Sequence, residues 1–182
     1  MHLLGQDDLS KSIVESGVVS WEGLIRVVKR FPYGRNQHRD KIELVWTERK
    51  GTCSSKHAFL KLVADLNNVP DIHLVLCIYK MTGLNTPGVN DVLSNYGLEY
   101  LPEAHCFLLT PNGPLDVTAF DSDFDLVKND VLHEEVIGPA QIVTYKVQMH
   151  KKYMMDWAKE FSSLSGDEVW RIREECLQSL EE

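Results

Sequence analysis

His73-Leu-Val-Leu-Cys-Ile-Tyr79 is an unbroken apolar run. Side chains alternate between the two faces of a strand, so a run apolar at every position is buried on both faces. This segment therefore predicts a central strand, and the rest of the chain has to be arranged around it. Upstream, Ala58, Leu60, Leu62, Val63 and Leu66 have helical spacing and predict a mostly buried helix. It opens at Cys53 and stops near Asn67-Asn68-Val-Pro70. Earlier still, Ser20 is placed to cap a helix over residues 21–31, whose Leu24, Val27, Val28 and Phe31 fall at i, i+3, i+4, i+7. Pro32-Tyr-Gly34 ends that helix, residues 36–41 read as a polar loop, and residues 42–46 read as strand or helix.

Downstream of the central strand, residues 82–102 are rich in Gly, Asn and Pro and read as a long irregular connection. Residues 105–110 and 115–120 predict two strands joined by Pro111-Asn-Gly-Pro114, and residues 142–147 predict another. The C-terminal part reads as two helices. Tyr153, Trp157 and Phe161 form an i, i+4, i+8 stripe. Ser165-Gly-Asp-Glu168 is a capping box opening a helix with Val169, Ile172, Cys176 and Leu180 on one face. Both stripes read as packing on the core. With no break in composition, the expectation is a single domain over 1–182, its core spanning about 42–147, with helical additions at 1–41 and 148–182.

The 182 residues are 43% apolar and 25% charged, a soluble globular balance with length enough for a sizeable core. The formal net charge of −8 argues against nucleic acid and anionic membranes as partners. No apolar stretch approaches a membrane span, and the N-terminal residues lack the basic segment and apolar run of a signal peptide. The four cysteines, Cys53, Cys77, Cys106 and Cys176, form no CxxC pair and no disulfide framework. A reducing cytoplasm follows as the expected location.

The chemistry lies in Gly51-Thr-Cys53-Ser-Ser-Lys-His57, Glu103-Ala-His105-Cys-Phe and Leu115-Asp116-Val-Thr118. A thiol at a helix N-terminus has its thiolate favoured by the helix dipole and by backbone N–H groups, which also suit an oxyanion. An imidazole takes the proton, and a carboxylate orients the imidazole. Cys53, His105 and Asp116 supply these groups in that order.

The combination resembles the transglutaminase-like superfamily of papain-type thiol enzymes. That pattern is a Gly-x-Cys opening a helix, a His followed by an apolar strand, and an Asp-x-Thr at the next strand; the resemblance covers roughly residues 46–120. It implies an α+β fold in which the Cys-bearing helix packs on an antiparallel sheet carrying the His and the Asp. It implies Cys53 as nucleophile, His105 as general base and acid, and Asp116 as the orienting carboxylate. The expected activity is hydrolysis or acyl transfer at an amide of a peptide or protein substrate, without cofactor or metal. The alternative is a transglutaminase-like binding or scaffolding module without turnover.

Four details stay open at this level. Ser-Ser-Lys-His follows Cys53 where many members carry an aromatic residue. Trp46 and Gln37 are the candidates for an upstream oxyanion side chain. A two-residue turn at Asn112-Gly113 sets Asp116 opposite Leu109, whereas pairing with His105 needs a turn near Thr110-Pro111; Asp121 and Asp123 are fallback partners. His57, one helical turn from Cys53, reads as a surface or supporting residue, or as the base in place of His105. A zinc site from Cys53, His57, His105 and Cys106 is disfavoured, because adjacent strand residues 105 and 106 point to opposite faces.

Overall fold

The computed structural model describes residues 1–180. Among them the fold is α+β, with seven α-helices and a four-stranded antiparallel sheet. The helices are α1 (Asp8–Glu15), α2 (Trp21–Lys29), α3 (Leu44–Glu48), α4 (Cys53–Leu66), α5 (Asn90–Asn95), α6 (Thr144–Phe161) and α7 (Gly166–Gln178). The strands are β1 (His73–Met81), β2 (Leu101–Thr110), β3 (Gly113–Leu115) and β4 (Val131–Ile137), in the spatial order β3-β2-β1-β4. The apolar run is thus an interior strand, β1. Among the described residues no helix is long and apolar enough to cross a membrane.

The chain parts into two compact units. The first comprises Met1–Leu76, Cys106–Phe124 and Glu135–Val143; the second comprises Cys77–His105, Asp125–Glu134 and the chain from Thr144 onward.

In the first unit α4 is the central helix, in contact with α1, α2 and α3. Ile13, Leu24, Val28, Val45, Phe59, Leu60 and Val63 are fully buried. Trp46 stacks on Phe59 at 6.3 Å between ring centroids and meets Phe31 at 6.1 Å. Ser20 does cap α2, accepting from the Gly23 N–H. Buried Asn67, just past α4, donates to Ser10 Oγ and Val63 O and accepts the Leu4 N–H, tying the N-terminal segment to the helix. The buried face of α4 differs from the expected one: Leu62 is half-buried and Leu66 exposed, whereas Lys56 and His57 are fully buried. Two polar side chains occupy the space that a purely apolar stripe would fill.

In the second unit Tyr79, Met81, Leu93, Leu101, Met154, Trp157, Val169, Ile172 and Cys176 form one apolar cluster. The Ser165–Glu168 capping box is formed, and Trp157 Nε1 donates to the Tyr100 hydroxyl at 2.9 Å. Phe161 and Leu180, at the ends of the two helical stripes, are exposed.

Five segments differ from the sequence reading. Residues 142–147 are not a strand: Ile142 closes a short 3-10 turn and α6 begins at Thr144. The buried stripe His150, Met154, Trp157 and Ala158 commits the segment to a helix, and extending it back adds one backbone bond per residue. That gain outweighs the strand preference of the β-branched residues. Residues 115–120 contribute only Leu115 to β3, because the backbone N–H groups beyond it bond to side chains, as described below. β2 begins at Leu101, so His105 lies mid-strand rather than at its start, and α5 interrupts the connection read as irregular. Strand β4, with polar His133, Glu134 and Glu135 on the sheet edge, had no apolar alternation to announce it.

Candidate functional site

Thr52 is the N-cap of α4. Its hydroxyl accepts the Ser55 N–H while the Ser55 hydroxyl accepts the Thr52 N–H, a reciprocal capping box. Gly51 makes this possible by having no side chain: a Cβ there would lie 2.8 Å from Ser55 Oγ and 2.9 Å from Lys56 Cγ. Gly51→Ala is therefore expected to displace Ser55 and Lys56 and to lower stability by about 1–3 kcal/mol, measured by denaturant unfolding. An unfolding midpoint equal to that of the parent would show that the helix start has slack.

The cap sets Cys53 at the first helical position. Its Sγ lies 3.7 Å from Ser54 Oγ, and the residue is half-buried. Cys77, Cys106 and Cys176 are buried, and none of the four is in a disulfide. Burial pushes the Cys176 thiol up to about 11.

Lys56 and His57 face inward from the first turns of α4. The Lys56 ammonium donates to Phe31 O at 2.5 Å and to Thr118 O at 2.8 Å. Burial pulls its pKa down to about 8, against the opposing pull of Asp116 and Cys53. It is still mostly protonated at neutral pH. The His57 ring bridges two backbone groups. Nε2 is 2.9 Å from the Val117 N–H, which can only donate, so Nε2 is the accepting nitrogen. Nδ1 therefore carries the proton and donates to Cys53 O at 2.6 Å. Asp116 Oδ1 is 3.6 Å from His57 Nε2 and accepts the Thr118 N–H at 2.8 Å. This last bond is an Asx turn, and with the Val117–His57 bond it draws the backbone away from ladder pairing.

The β2–β3 register pairs Leu108 with Leu115 and Thr110 with Gly113, across a turn at Pro111-Asn112. Continued by one residue, it sets position 116 opposite Phe107, between the two registers weighed from the sequence. Asp116 lies just beyond β3 and is 9% exposed. His105 is half-buried in β2, its ring edge-on to Tyr79 at 6.3 Å. Asp121 and Asp123 are exposed and, with Asp116, Lys29 and Phe120, line an open cleft of about 330 Å³. Of the oxyanion candidates, Gln37 is exposed with its N–H held by Glu48. Trp46 is buried in the aromatic stack with the Arg49 guanidinium 3.7 Å above its ring.

The sequence marks Lys56 only as an unusual residue near Cys53; its burial and its two carbonyl partners were not foreseen. A lysine at Cys53+3 with Phe59 and Leu60 three and four positions on was the available signal. No protein-family model, curated protein or solved structure matches the chain.

Proposed function

We propose that the protein is a thiol-dependent hydrolase or acyltransferase of the transglutaminase-like kind, acting on an amide bond of a peptide or protein. The Cys53 thiolate attacks the carbonyl carbon, the C–N bond breaks, and an acyl-thioester remains on Sγ. His105 delivers the proton to the departing amine and then takes one from the incoming water or amine, which releases the acyl group. His105 and its role are carried over from the family resemblance. By the same resemblance, Asp116 is assigned to orient the His105 imidazole. A reducing cytoplasm suits a mechanism that needs an unoxidised thiol.

The observation that supports this reading is the contrast among the four cysteines. Only Cys53 is partly exposed, and it stands at the first position of a capped helix whose next turn carries a buried ammonium. His57 does not fit the base role, because the Val117 N–H occupies its lone pair. The test is competitive labelling of the folded protein with iodoacetamide near pH 7, read by peptide mass spectrometry. Cys53 is expected to be labelled at least about ten times faster than Cys77, Cys106 or Cys176, and faster than a small-molecule thiol at the same pH. Slower labelling than the free thiol would favour the alternative, a fold of this kind used for binding or scaffolding.

A further inference from the structure

Lys56 and His57 are successive residues, both buried, and both reach from α4 to the same three-residue segment. Lys56 bonds to the Thr118 carbonyl, and His57 accepts the Val117 N–H and lies 3.6 Å from the Asp116 carboxylate. At the other end, His57 holds the carbonyl of Cys53 itself, and Lys56 holds the carbonyl of Phe31, just past the C-cap of α2. We propose that Lys56 and His57 are positioning residues that clamp Asp116-Val-Thr118 onto the helix turn presenting Cys53. In this proposal Lys56 also supplies the fixed positive charge that favours the Cys53 thiolate. The inference rests on the reading of Cys53 as a nucleophile and gives Lys56 and His57 positioning roles at that site which the triad pattern does not contain.

Two physical effects act at this helix turn. The first is geometric. Val117 and Thr118 lie beyond the last ladder pair, so the helix side chains replace strand pairing as what fixes their backbone. An acceptor at the His57 Nε2 position and a donor at the Lys56 Nζ position are both required. Removing either leaves a buried backbone group unsatisfied. The second is electrostatic. A lysine is seldom fully buried unless its charge is compensated. Here the ammonium is compensated by two carbonyls and by Asp116, and Cys53 stands three residues back on the same helix, on the neighbouring turn. Lys56, His57 and Asp116 are titratable groups of this helix turn and of the clamped segment, and Lys56 interacts with both Asp116 and Cys53. His57 contributes no charge in its bonded tautomer.

The two effects are tested separately on the full chain. For the geometry, amide hydrogen exchange at Val117 and Thr118 is compared in His57→Leu and His57→Gln. Gln sets its carbonyl oxygen where Nε2 stood and can still accept from Val117. Protection of Val117 is expected to be lost in His57→Leu and kept in His57→Gln; unchanged protection in His57→Leu would overturn the clamp. For the charge, the pH profile of Cys53 alkylation is measured in Lys56→Gln and Lys56→Arg. Gln retains a donor for one carbonyl and removes the charge, so the midpoint is expected to rise by about 1 unit. Arg is expected to keep the parent midpoint. An unmoved midpoint in Lys56→Gln, or an equal rise in both variants, would overturn the charge role. If Lys56→Arg does not fold, Lys56→Gln decides that role alone. Should Cys53 of the parent take no acyl group while these shifts and protections appear, the enzyme reading falls and the clamp stands.

Discussion

Arg173→Ala is expected to destabilise the protein by about 3–5 kcal/mol, read as a lower midpoint in urea. Arg173 on α7 makes a two-pronged bond to Glu103 on β2, Nε to Oε2 and Nη2 to Oε1, both at 2.7 Å. Glu103 is 7% exposed, and Arg173 also bonds Glu174. The truncation leaves the Glu103 carboxylate buried without its cation, and that uncompensated charge carries most of the cost. The double variant Glu103→Leu with Arg173→Met removes both charges and is expected to recover most of the loss, because paired buried charges often do no better than well-packed apolar groups. A small loss in Arg173→Ala would mean that water reaches Glu103.

The same cluster gives the sign of the pH dependence. Burial alone would raise the Glu103 carboxyl, but the Arg173 guanidinium and its hydrogen bonds outweigh burial and hold it below 4.5. Burial lowers the His150 imidazole below 6.5, although Glu103 pulls the other way. Both groups bind protons less readily folded than unfolded, so the unfolded state gains protons first on acidification. Stability is expected to fall as pH drops below about 6.5, first through His150 and then through Glu103. His150 Nε2 is bonded to Pro102 O, so the ring is fixed beside the ion pair. In His150→Gln the fall should begin nearer the carboxylate range, and denaturant midpoints between pH 4 and 8 measure it.

His105→Ala is expected to slow Cys53 alkylation about a hundredfold near pH 7. In the proposed triad the His105 imidazolium pairs with the thiolate; such a pair lowers a thiol by roughly 1–3 units, and 2 units correspond to that factor when the pH lies below the thiol's value. The rate should recover at high pH, where the thiol ionises unaided. Asp116→Asn is expected to move the profile upward by less, and Asp121→Asn and Asp123→Asn to leave it in place. His57→Ala should slow alkylation less than His105→Ala, since its imidazole is bonded at both nitrogens. If His57→Ala has the larger effect, His57 is the partner of the thiol and the resemblance misassigns the base. If no variant shifts the profile, Cys53 is an ordinary thiol.

Much of the fold was legible because its signals are local. The run at residues 73–79, the Ser20 cap and the Ser165–Glu168 capping box each act within a few residues, and each appears where the sequence predicted it. The misread segments depended on distant partners. Residues 142–147 have strand-like side chains, but the packing of Met154 and Trp157 further along draws them into a helix. Residues 116–118 have strand-like composition, but His57, some sixty positions earlier, takes their hydrogen bond. At the candidate site, Cys53 was legible through Gly51-Thr52, whose need for close approach and capping is local. The burial of Lys56 was not, because the carbonyls that hold it come from Phe31 and Thr118.

The most direct test of the central claim is acyl transfer itself. The folded protein is mixed with an activated ester such as p-nitrophenyl acetate, quenched in acid at short times, and weighed intact before peptide mapping. A rapid burst of about one equivalent of nitrophenol is predicted, with the acetyl group on Cys53 and its later release accelerated by added amine. The burst should be absent in Cys53→Ala and much slower in His105→Ala. No acetyl group on Cys53, or acetylation at a rate no greater than that of a free thiol, would contradict the account.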